Sequence, residues 1–248
     1  MSVLSSFPEK ARVVVVGAGG AIGRALVERL CTEPQAEVIY ATSRSPVSFD
    51  DSRVVPVVID IEDEGSVAAA AESCAVKGPF DLVIVATGIL HQGASIQPEK
   101  RMRDIDADTM ARVFALNCIG PTIVAKHFLP LLRAGGKSVF AALSARVGSI
   151  SDNRLGGWTS YRVSKAALNM ALRTLSIEHA RSRPESAVVG LHPGTVDSPL
   201  SAPFQRRVPA QQLFSPAHAA DCLLRVVDGL DSQHSGRVFA WDGREIDF

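Results

Sequence analysis

A tyrosine and a lysine four residues apart, Tyr161 and Lys165, are the side chains best suited to chemistry in this sequence. They lie in the helix-prone stretch from Gly156 to Asn169, where a spacing of four places two side chains on one helix face. A nearby ammonium favours the phenolate form of a tyrosine, so Tyr161 could exchange a proton with a substrate oxygen near neutral pH. An exposed helical pair is the alternative, and the surrounding elements must decide between the two.

A glycine-rich loop joins the first predicted strand, Ala11–Val16, to a predicted helix from Arg24 to Cys31. Strand, glycine loop and helix form the order of a dinucleotide-binding unit, in which free amides at the helix start bind a diphosphate. The spacing is not Gly-x-Gly-x-x-Gly, because Ile22 takes the place of the third glycine and Gly23 comes one residue later. The pattern therefore predicts a nucleotide loop of longer spacing, with a flexible turn as the alternative. Its candidate binding residues are Gly17, Gly19, Gly20, Ile22 and Gly23.

The second predicted strand, Glu37–Thr42, ends without the carboxylate that usually binds the ribose hydroxyls of NAD. Thr42, Ser43 and Arg44 stand there instead, and an arginine fork suits a 2′-phosphate. The sequence thus predicts NADP(H), with NAD less favoured. A solvated arginine in an ordinary turn is the alternative.

Two further strands and a helix follow. The third strand runs from Val54 to Ile59, and Asp60 at its carboxyl end is a candidate contact for adenine. A helix is predicted from Glu62 to Cys74. The nearly continuous apolar run from Asp81 to Gly88 predicts a central parallel strand covered on both faces.

One long helix is predicted from Asp106 to Leu132, with Pro121 perturbing it. Asn117 lies within its apolar stretch, and a buried amide needs hydrogen-bond partners. Asn117 is therefore either part of a structural network or part of a site.

The remaining elements continue the alternation of strands and helices. They are a strand at Lys137–Leu143, a helix at Trp158–Ala180, a strand at Ala187–Leu191, a possible lid at Val196–Phe214, a helix at Pro216–Asp228 and a strand at Gly236–Trp241. The order predicts a single doubly wound α/β Rossmann domain over residues 1–248. Its central sheet is expected to be mostly parallel, with about seven strands and helices on both faces.

Composition narrows the classes of partner. The chain has 248 residues, 46% of them hydrophobic, and a formal net charge of zero, so neither nucleic acid nor an anionic membrane is favoured. No uninterrupted apolar run of membrane-spanning length and no secretion signal are recognised, and four scattered cysteines without a Cys-x-x-Cys pair are expected to be reduced. We therefore expect a cytoplasmic protein that acts on a small molecule, with no metal site.

These residues together resemble the short-chain dehydrogenase/reductase family, and within it the C-factor-type branch, over almost the whole chain. The family's motifs occur in order as Gly17–Gly23, Asp60-Ile61, Gly88, Asn117-Cys118-Ile119-Gly120, Tyr161 with Lys165, and Pro193-Gly194-Thr195. The resemblance implies that Tyr161 is the acid/base, that Lys165 holds the nicotinamide ribose and lowers the tyrosine's pKa, and that Asn117 supports a water relay. It also implies a homo-oligomer, either a dimer or a tetramer. Beyond the residues already named, the implied cofactor contacts are Ile61, Ala86, Thr87, Gly88, Tyr161, Lys165, Pro193, Gly194, Thr195 and Val196.

The serine that should polarise the substrate oxygen departs from the family pattern. The usual register is Ser-x-x-Gly, and counting back from Gly148 leads to Ala145. Ser144 comes one residue early, which on a strand would turn it to the other face, and Ser149 is its rival. Ser144 is the candidate if the strand has already ended there. Val16 and Ala21 in the glycine loop, and Val85 to Gly88 at the end of the fourth strand, also differ from the family pattern.

Two functions follow. The first is an NADP(H)-dependent oxidoreductase that moves a hydride between the nicotinamide and a carbonyl or secondary alcohol, with Tyr161 as acid/base. The second is a nucleotide-binding or signalling protein whose redox activity is weak or lost, which the missing serine motivates.

Overall fold

An eight-stranded, mostly parallel sheet organises the protein. The computed structural model describes residues 2–93 and 95–248. Its strands are β1 (Ala11–Val16), β2 (Ala36–Ser43), β3 (Val54–Val58), β4 (Leu82–Val85), β5 (Ser138–Leu143), β6 (Ser186–His192), β7 (Thr195–Val196), β8 (Leu213–Phe214), β9 (Val238–Ala240) and β10 (Glu245–Ile246). The order in the large sheet is β10-β9-β6-β5-β4-β1-β2-β3, while β7 and β8 pair separately. Among the described strands of the large sheet, the short edge pairing of β10 with β9 alone is antiparallel, and β10 is the strand added to the seven expected.

Helices cover both faces of the sheet. They are α1 (Ala21–Cys31), α2 (Glu64–Ala75), α3 (Ala107–Phe114), α4 (Gly120–Phe128), α5 (Thr159–His179) and α6 (Pro216–Gly229). The predicted boundaries lie within a few residues of these. The largest differences at helix starts are three residues at α1 and two at α2, where Asp63 caps the helix by accepting a hydrogen bond from the Gly65 amide.

Alternation along each strand divides the core into two layers. In β1, Val13 and Val15 pack on the side covered by α1 and α6, whereas Val14 and Val16 pack on the side covered by α2, α4 and α5. Each strand residue of β4 is fully buried. These two layers confirm the predicted doubly wound α/β fold.

The predicted long helix is interrupted at its centre. A π-helical turn, Ala115–Ile119, separates α3 from α4. Pro121 explains the position of this turn, since proline has no amide hydrogen to bond the carbonyl four residues earlier. The whole run Ala107–Leu131 is long and apolar enough to cross a membrane by length and composition. Its residues Val124 and Phe128, however, are fully buried in the core layer beneath the sheet, as in the core helix of a folded domain.

The predicted lid, Val196–Phe214, has local structure of its own. It begins and ends in the parallel pair β7–β8, and two 3-10 turns, Ala202–Arg207 and Ala210–Gln212, lie between those strands. The β7–β8 pair therefore joins the two ends of this segment, at the edge of the sheet where the strands β1, β4 and β6 end.

Candidate active site

A cleft of about 690 Å³ opens at the carboxyl edge of the parallel strands. Parallel α/β sheets bind ligands at this edge, where the strand order reverses. Among the described residues, no acidic side chain lines the cleft, and both charged lining residues are arginines. The lining residues are Gly17, Gly19, Gly20, Ser43, Arg44, Ser45, Pro46, Val47, Ile59, Ile61, Ala86, Thr87, Gly88, Ile89, Gln92, Arg112 and Leu116.

The glycine loop forms one wall of the cleft, and its close contacts require glycine at two positions. Gly17 has a positive φ of 95°, and its amide donates to the Thr42 carbonyl over 2.9 Å. At Gly23, an added Cβ would lie 2.1 Å from the Gly17 carbonyl oxygen, so no other residue fits there. Gly20 precedes α1 without a side-chain cap, which leaves amides at the helix start to face a bound anion. Ile22 and Gly23 support this loop from the first turn of α1 and do not themselves line the cleft.

The end of β2 supplies a cation to the mouth of the cleft. Arg44 is exposed and lines the cleft, and within the described part of the chain no ion pair or hydrogen bond involves its side chain. Arg112 lines the same cleft but is paired with Glu62. Ser43 donates its hydroxyl to the Ser45 carbonyl, and Thr42 is fully buried with its hydroxyl oxygen lacking a partner. Arg44 is thus the cation left to bind a phosphate.

Asp60, the candidate contact for adenine, does not line the cleft, although its two neighbours do. The Asp60 carboxylate accepts a hydrogen bond from the Glu62 amide over 3.0 Å and is not among the residues that line the cleft. Ile59 and Ile61 flank it and do line the cleft. The alternation of side chains at the end of β3 accounts for this difference, because it turns Asp60 away from the side that its neighbours face.

Lys165 and Asn117 meet at the end of β4. An added Cβ on Gly88 would lie 3.3 Å from Asn117 Oδ1 and 3.4 Å from Lys165 Nζ, so a glycine brings the backbone close to both. Asn117 is fully buried in the π-helical turn. Its amide receives a hydrogen bond from the Ile89 N–H at 2.7 Å and donates to the Ile89 carbonyl at 2.8 Å and to Ser164 Oγ at 3.1 Å. The network therefore joins the end of the cleft to α5, and it uses every hydrogen-bonding atom of the amide.

Burial shifts the pKa of both Tyr161 and Lys165. Lys165 Nζ donates to the Leu143 carbonyl over 2.7 Å and lies 6.0 Å from the centroid of the Tyr161 ring. Burial raises the pKa of Tyr161 to about 12 and lowers the pKa of Lys165 to about 8. The expected lowering of the tyrosine pKa by the lysine is therefore absent in this state, because the ammonium is directed to a backbone carbonyl.

Both candidate serines are buried, and each hydroxyl has hydrogen-bond partners within the protein. Strand β5 ends at Leu143, but the Ser144 amide continues the pairing by donating to the Leu191 carbonyl over 2.7 Å. Ser144 is buried and donates its one hydroxyl proton to Asn169 Oδ1 over 2.6 Å, so it does not fit the expected role. Ser149 is also buried, and its hydroxyl lies 3.3 Å from Ser151 Oγ and accepts from the Asp152 amide.

Ala145 occupies the register of the missing serine and is buried. Gly148, three residues later, packs closely against α5, since an added Cβ there would lie only 2.9 Å from the Cβ of Lys165. This register therefore carries a methyl group at Ala145 in place of the hydroxyl, three residues before a glycine that packs against α5.

The segment after β6 lies at the same edge of the sheet but outside the lining of the cleft. Gly194 has a φ of 77°, and an added Cβ there would lie 2.6 Å from the Phe214 ring. Thr195–Val196 forms β7 and pairs with β8. Gly194, Thr195 and Val196 thus hold the start of the segment Val196–Phe214, and neither these residues nor Pro193 are among the lining residues.

Sequence reasoning missed several residues of the site. Arg112 and Leu116 reach the cleft from α3 and the π-helical turn, and Gln92 reaches it from the loop after β4. Glu99, from the loop between β4 and α3, is buried against the start of α5. Its carboxylate accepts hydrogen bonds from the amide and hydroxyl of Ser160. These contacts join positions far apart in the chain, and no local pattern signals them.

Comparison with known proteins agrees with this geometry. Residues 11–208 match the family model described as short chain dehydrogenase. The C-signal protein of Myxococcus xanthus is 38% identical over 170 residues, which cover 68% of this chain and 93% of that protein. The 1-hydroxy-2-glutathionyl-2-methyl-3-butene dehydrogenase of Rhodococcus sp. (strain AD45) is 31% identical over 234 residues, covering 93% of this chain and 96% of the relative.

A solved structure shares the whole architecture. The NADPH-bound carbonyl reductase from chicken fatty liver superposes with a TM-score of 0.82 at 25% sequence identity, and the match covers 98% of this chain and 96% of that one. The family match extends over more than half of the chain, and the M. xanthus relative agrees with the predicted branch. The chain therefore belongs to the short-chain dehydrogenase family and is an oxidoreductase of that family.

Proposed function

We propose that the protein is an NADP(H)-dependent oxidoreductase that interconverts a small-molecule carbonyl compound and the corresponding secondary alcohol, with Tyr161 as the acid/base. The observation that carries this proposal is the position of Gly88. This glycine lines the cleft and also lies next to both Lys165 and Asn117. A ligand that fills the cleft would therefore end beside the residues suited to proton transfer.

The residues of the cleft fit a phosphorylated dinucleotide. The glycine loop provides close backbone approach and a helix start for the diphosphate, and Arg44 provides an uncommitted cation for a 2′-phosphate. None of the described residues that line the cleft is a carboxylate that could bind the ribose hydroxyls of NAD. The chicken relative is described as NADPH-bound, which is in keeping with this choice. Bound in the cleft, the nicotinamide would supply or accept the hydride.

Tyr161 supplies the proton in the direction of reduction. With a pKa of about 12 its hydroxyl is protonated at neutral pH, so it is ready to donate to the substrate oxygen as negative charge develops. Lys165, with a pKa of about 8, is mainly charged at neutral pH and stabilises negative charge close to it. Asn117 holds the turn after β4 through its two hydrogen bonds to Ile89, which keeps Gly88 beside the lysine.

Tyr161 acts without a serine partner. Ala145 offers no donor, and the hydroxyl of Ser144 is committed to Asn169. Loss of one oxyanion donor typically costs about 10²–10³-fold in turnover. We therefore expect an active enzyme whose turnover is lower than that of a site with both donors.

We also propose that the protein forms a homo-oligomer through α5. Three apolar side chains seven residues apart on α5 are exposed, namely Val163 at 41%, Met170 at 66% and Ile177 at 50%. A spacing of seven keeps them on one helix face, and such a stripe is typical of a surface that pairs with another helix.

We place residues 1–248 in one domain and the protein in the cytoplasm, in keeping with the free thiols of Cys31, Cys74, Cys118 and Cys222.

A nucleotide-binding or signalling protein with weak or lost redox activity is the second candidate. Ala145 favours it because the site has one donor fewer than the family pattern provides. The relative from M. xanthus is named C-signal, which points in the same direction.

A panel of aldehydes and ketones assayed with NADPH distinguishes the two candidates. Consumption of NADPH that depends on both the carbonyl compound and Tyr161 is expected for the enzyme. Tight binding of NADPH without consumption across the panel would contradict the oxidoreductase and favour the signalling protein.

A further inference from the structure

The backbone just before the catalytic helix is unusual. Gly156, Gly157 and Trp158 have consecutive positive φ values of 62°, 66° and 52°. Trp158 is the one residue other than glycine with a positive φ among the described residues. Left-handed backbone is rare for a bulky side chain, and such outliers cluster at functional sites where neighbouring structure enforces them.

Glu99 enforces the conformation of Trp158. The Glu99 carbonyl accepts a hydrogen bond from the Trp158 amide over 2.6 Å. Its buried carboxylate accepts from the amide of Ser160 at 3.2 Å and from the Ser160 hydroxyl. One residue of the β4–α3 loop thus fixes both the start of α5 and the residue that precedes it.

The indole of Trp158 belongs to a row of aromatic rings next to Tyr161. The Trp158 ring centroid lies 6.4 Å from that of Tyr161 at an interplanar angle of 80°, and 5.0 Å from that of Phe204 at 61°. Phe204 belongs to the lid, and its ring lies 5.7 Å from that of His91, which follows β4. His91 Nε2 in turn lies 2.9 Å from the Pro199 carbonyl of the lid. Three segments therefore meet in one aromatic wall, which we define as Trp158, Phe204 and His91.

The wall is available to a ligand. Each of its three side chains is half-buried rather than buried, unlike the core aromatics Phe80, Phe128 and Phe140. Its rings are edge-to-face with one another, which leaves ring faces and edges to pack against a further flat group. A substrate whose oxygen meets Tyr161 would have its substituent beside this wall, because Trp158 contacts the Tyr161 ring directly.

We infer that the aromatic wall selects carbonyl substrates that carry a flat unsaturated ring next to the reacting carbon, with Trp158 as the specificity-determining residue and Glu99 as the residue that positions it. This inference rests on the proposed function, because it names the substrate class of the same site. An aryl ketone is bound in preference to a saturated ketone of the same size, since a flat ring matches the wall and a puckered ring does not.

The test compares acetophenone with cyclohexyl methyl ketone, two methyl ketones that differ in the flatness of one six-membered ring. Dissociation constants are measured by calorimetry in the presence of saturating NADP⁺, so that binding is read without turnover. The wild-type protein is expected to bind acetophenone about tenfold more tightly. Trp158→Leu and Phe204→Leu should each reduce that preference by about three- to ten-fold, the factor that an aromatic pair contributes.

A folding defect should not account for a changed preference between the two ketones. Leucine carries a Cβ as tryptophan does, so Trp158→Leu leaves the left-handed backbone under the same constraint. Trp158→Phe should retain most of the wild-type preference for acetophenone because it keeps an aromatic ring at this position. The control is Leu155→Ala, which changes an apolar residue of the same loop that is 92% exposed. Phe204→Leu provides the test if Trp158→Leu does not fold.

The positioning role of Glu99 has its own readout. Glu99→Gln keeps an acceptor for the Ser160 hydroxyl and should retain the preference for acetophenone, whereas Glu99→Ala should lower the preference without an equal loss of affinity for cyclohexyl methyl ketone. Equal losses for the two ketones would show that Glu99 is merely structural and would overturn its assignment.

The outcomes separate this inference from the proposed function. An unchanged preference in both Trp158→Leu and Phe204→Leu, or a wild-type protein that binds the two ketones equally or binds neither, would overturn the aromatic wall. Selective binding of acetophenone with no consumption of NADPH would instead support the wall and contradict the oxidoreductase.

Discussion

The ammonium nitrogen of Lys165 lies 6.0 Å from the centroid of the Tyr161 ring, and its hydrogen bond goes to the Leu143 carbonyl. The lysine charge therefore does not offset the burial of the phenol, which raises the pKa of Tyr161 to about 12. A tyrosine in this state is a proton donor at neutral pH. In the proposed reaction, this protonated phenol would donate to the substrate oxygen during carbonyl reduction.

The rate of reduction should fall as the pH rises through the pKa of Lys165, about 8. Burial depresses this pKa, so the charged form is present below about 8 and is lost above it, while Tyr161 keeps its proton up to about 12. The value of kcat/KM for carbonyl reduction should be level from about pH 6 and decline with unit slope above about pH 8. Lys165→Arg, which stays charged, should remove this decline even if its overall rate is lower. A level profile for the wild type up to about pH 10 would contradict the assignment.

Arg44 should set the preference for NADPH over NADH. Arg44→Ala removes the uncommitted cation at the mouth of the cleft, so the difference in binding free energy between the two cofactors should shrink by roughly 1.5–3 kcal/mol. Dissociation constants from nicotinamide fluorescence check this. Arg154→Ala is the matched control, because Arg154 is also exposed but does not line the cleft. Equal affinities of the wild-type protein for NADPH and NADH would contradict the choice of cofactor.

Ala145→Ser should increase the turnover of carbonyl reduction. It restores a hydroxyl in the register that Gly148 fixes against α5, and one oxyanion donor is typically worth about 10²-fold. A gain of at least about tenfold is expected, with no change in NADPH affinity.

Ser144→Ala is the companion variant to Ala145→Ser and should leave turnover within a few-fold of the wild type. It removes the hydrogen bond to Asn169 and should lower the free energy of unfolding by about 1 kcal/mol. Loss of turnover by about 10²-fold in Ser144→Ala would show that Ser144 moves to meet the substrate.

Met170→Glu should disrupt the proposed oligomer. The substitution places a charge at the centre of the exposed stripe formed by Val163, Met170 and Ile177 on α5. The mass of the protein measured by light scattering should fall to that of one chain, whereas Val76→Glu, at a residue 84% exposed outside the stripe, should not change it. A wild-type protein that is monomeric at high concentration would contradict the role of the stripe.

Elements with strong local patterns were predictable from the sequence. The β-branched run of β1 and the glycine loop depend on neighbouring residues, and both occur where the sequence places them, whereas α1 begins three residues earlier than expected. The count back from Gly148 leads to Ala145, and Gly148 itself lies close to α5, but the choice among the serines was not settled by this spacing.

Features that depend on contacts between distant positions were not predictable. The fate of the Ser144 hydroxyl depends on Asn169 in α5, and the left-handed Trp158 depends on Glu99, which lies in another loop. The pKa of Tyr161 depends on burial and on the direction in which the lysine points. A spacing of four residues places the two side chains on one face but does not determine that direction.

The most direct test of the account compares the wild-type protein with Tyr161→Phe in the consumption of NADPH with an aldehyde or ketone. The substitution removes only the phenolic oxygen, so the account predicts loss of turnover by at least about 10²-fold, while NADPH is bound within a few-fold of the wild-type affinity. Turnover retained above about a tenth of the wild-type value would contradict Tyr161 as the acid/base, because a phenylalanine has no proton to donate.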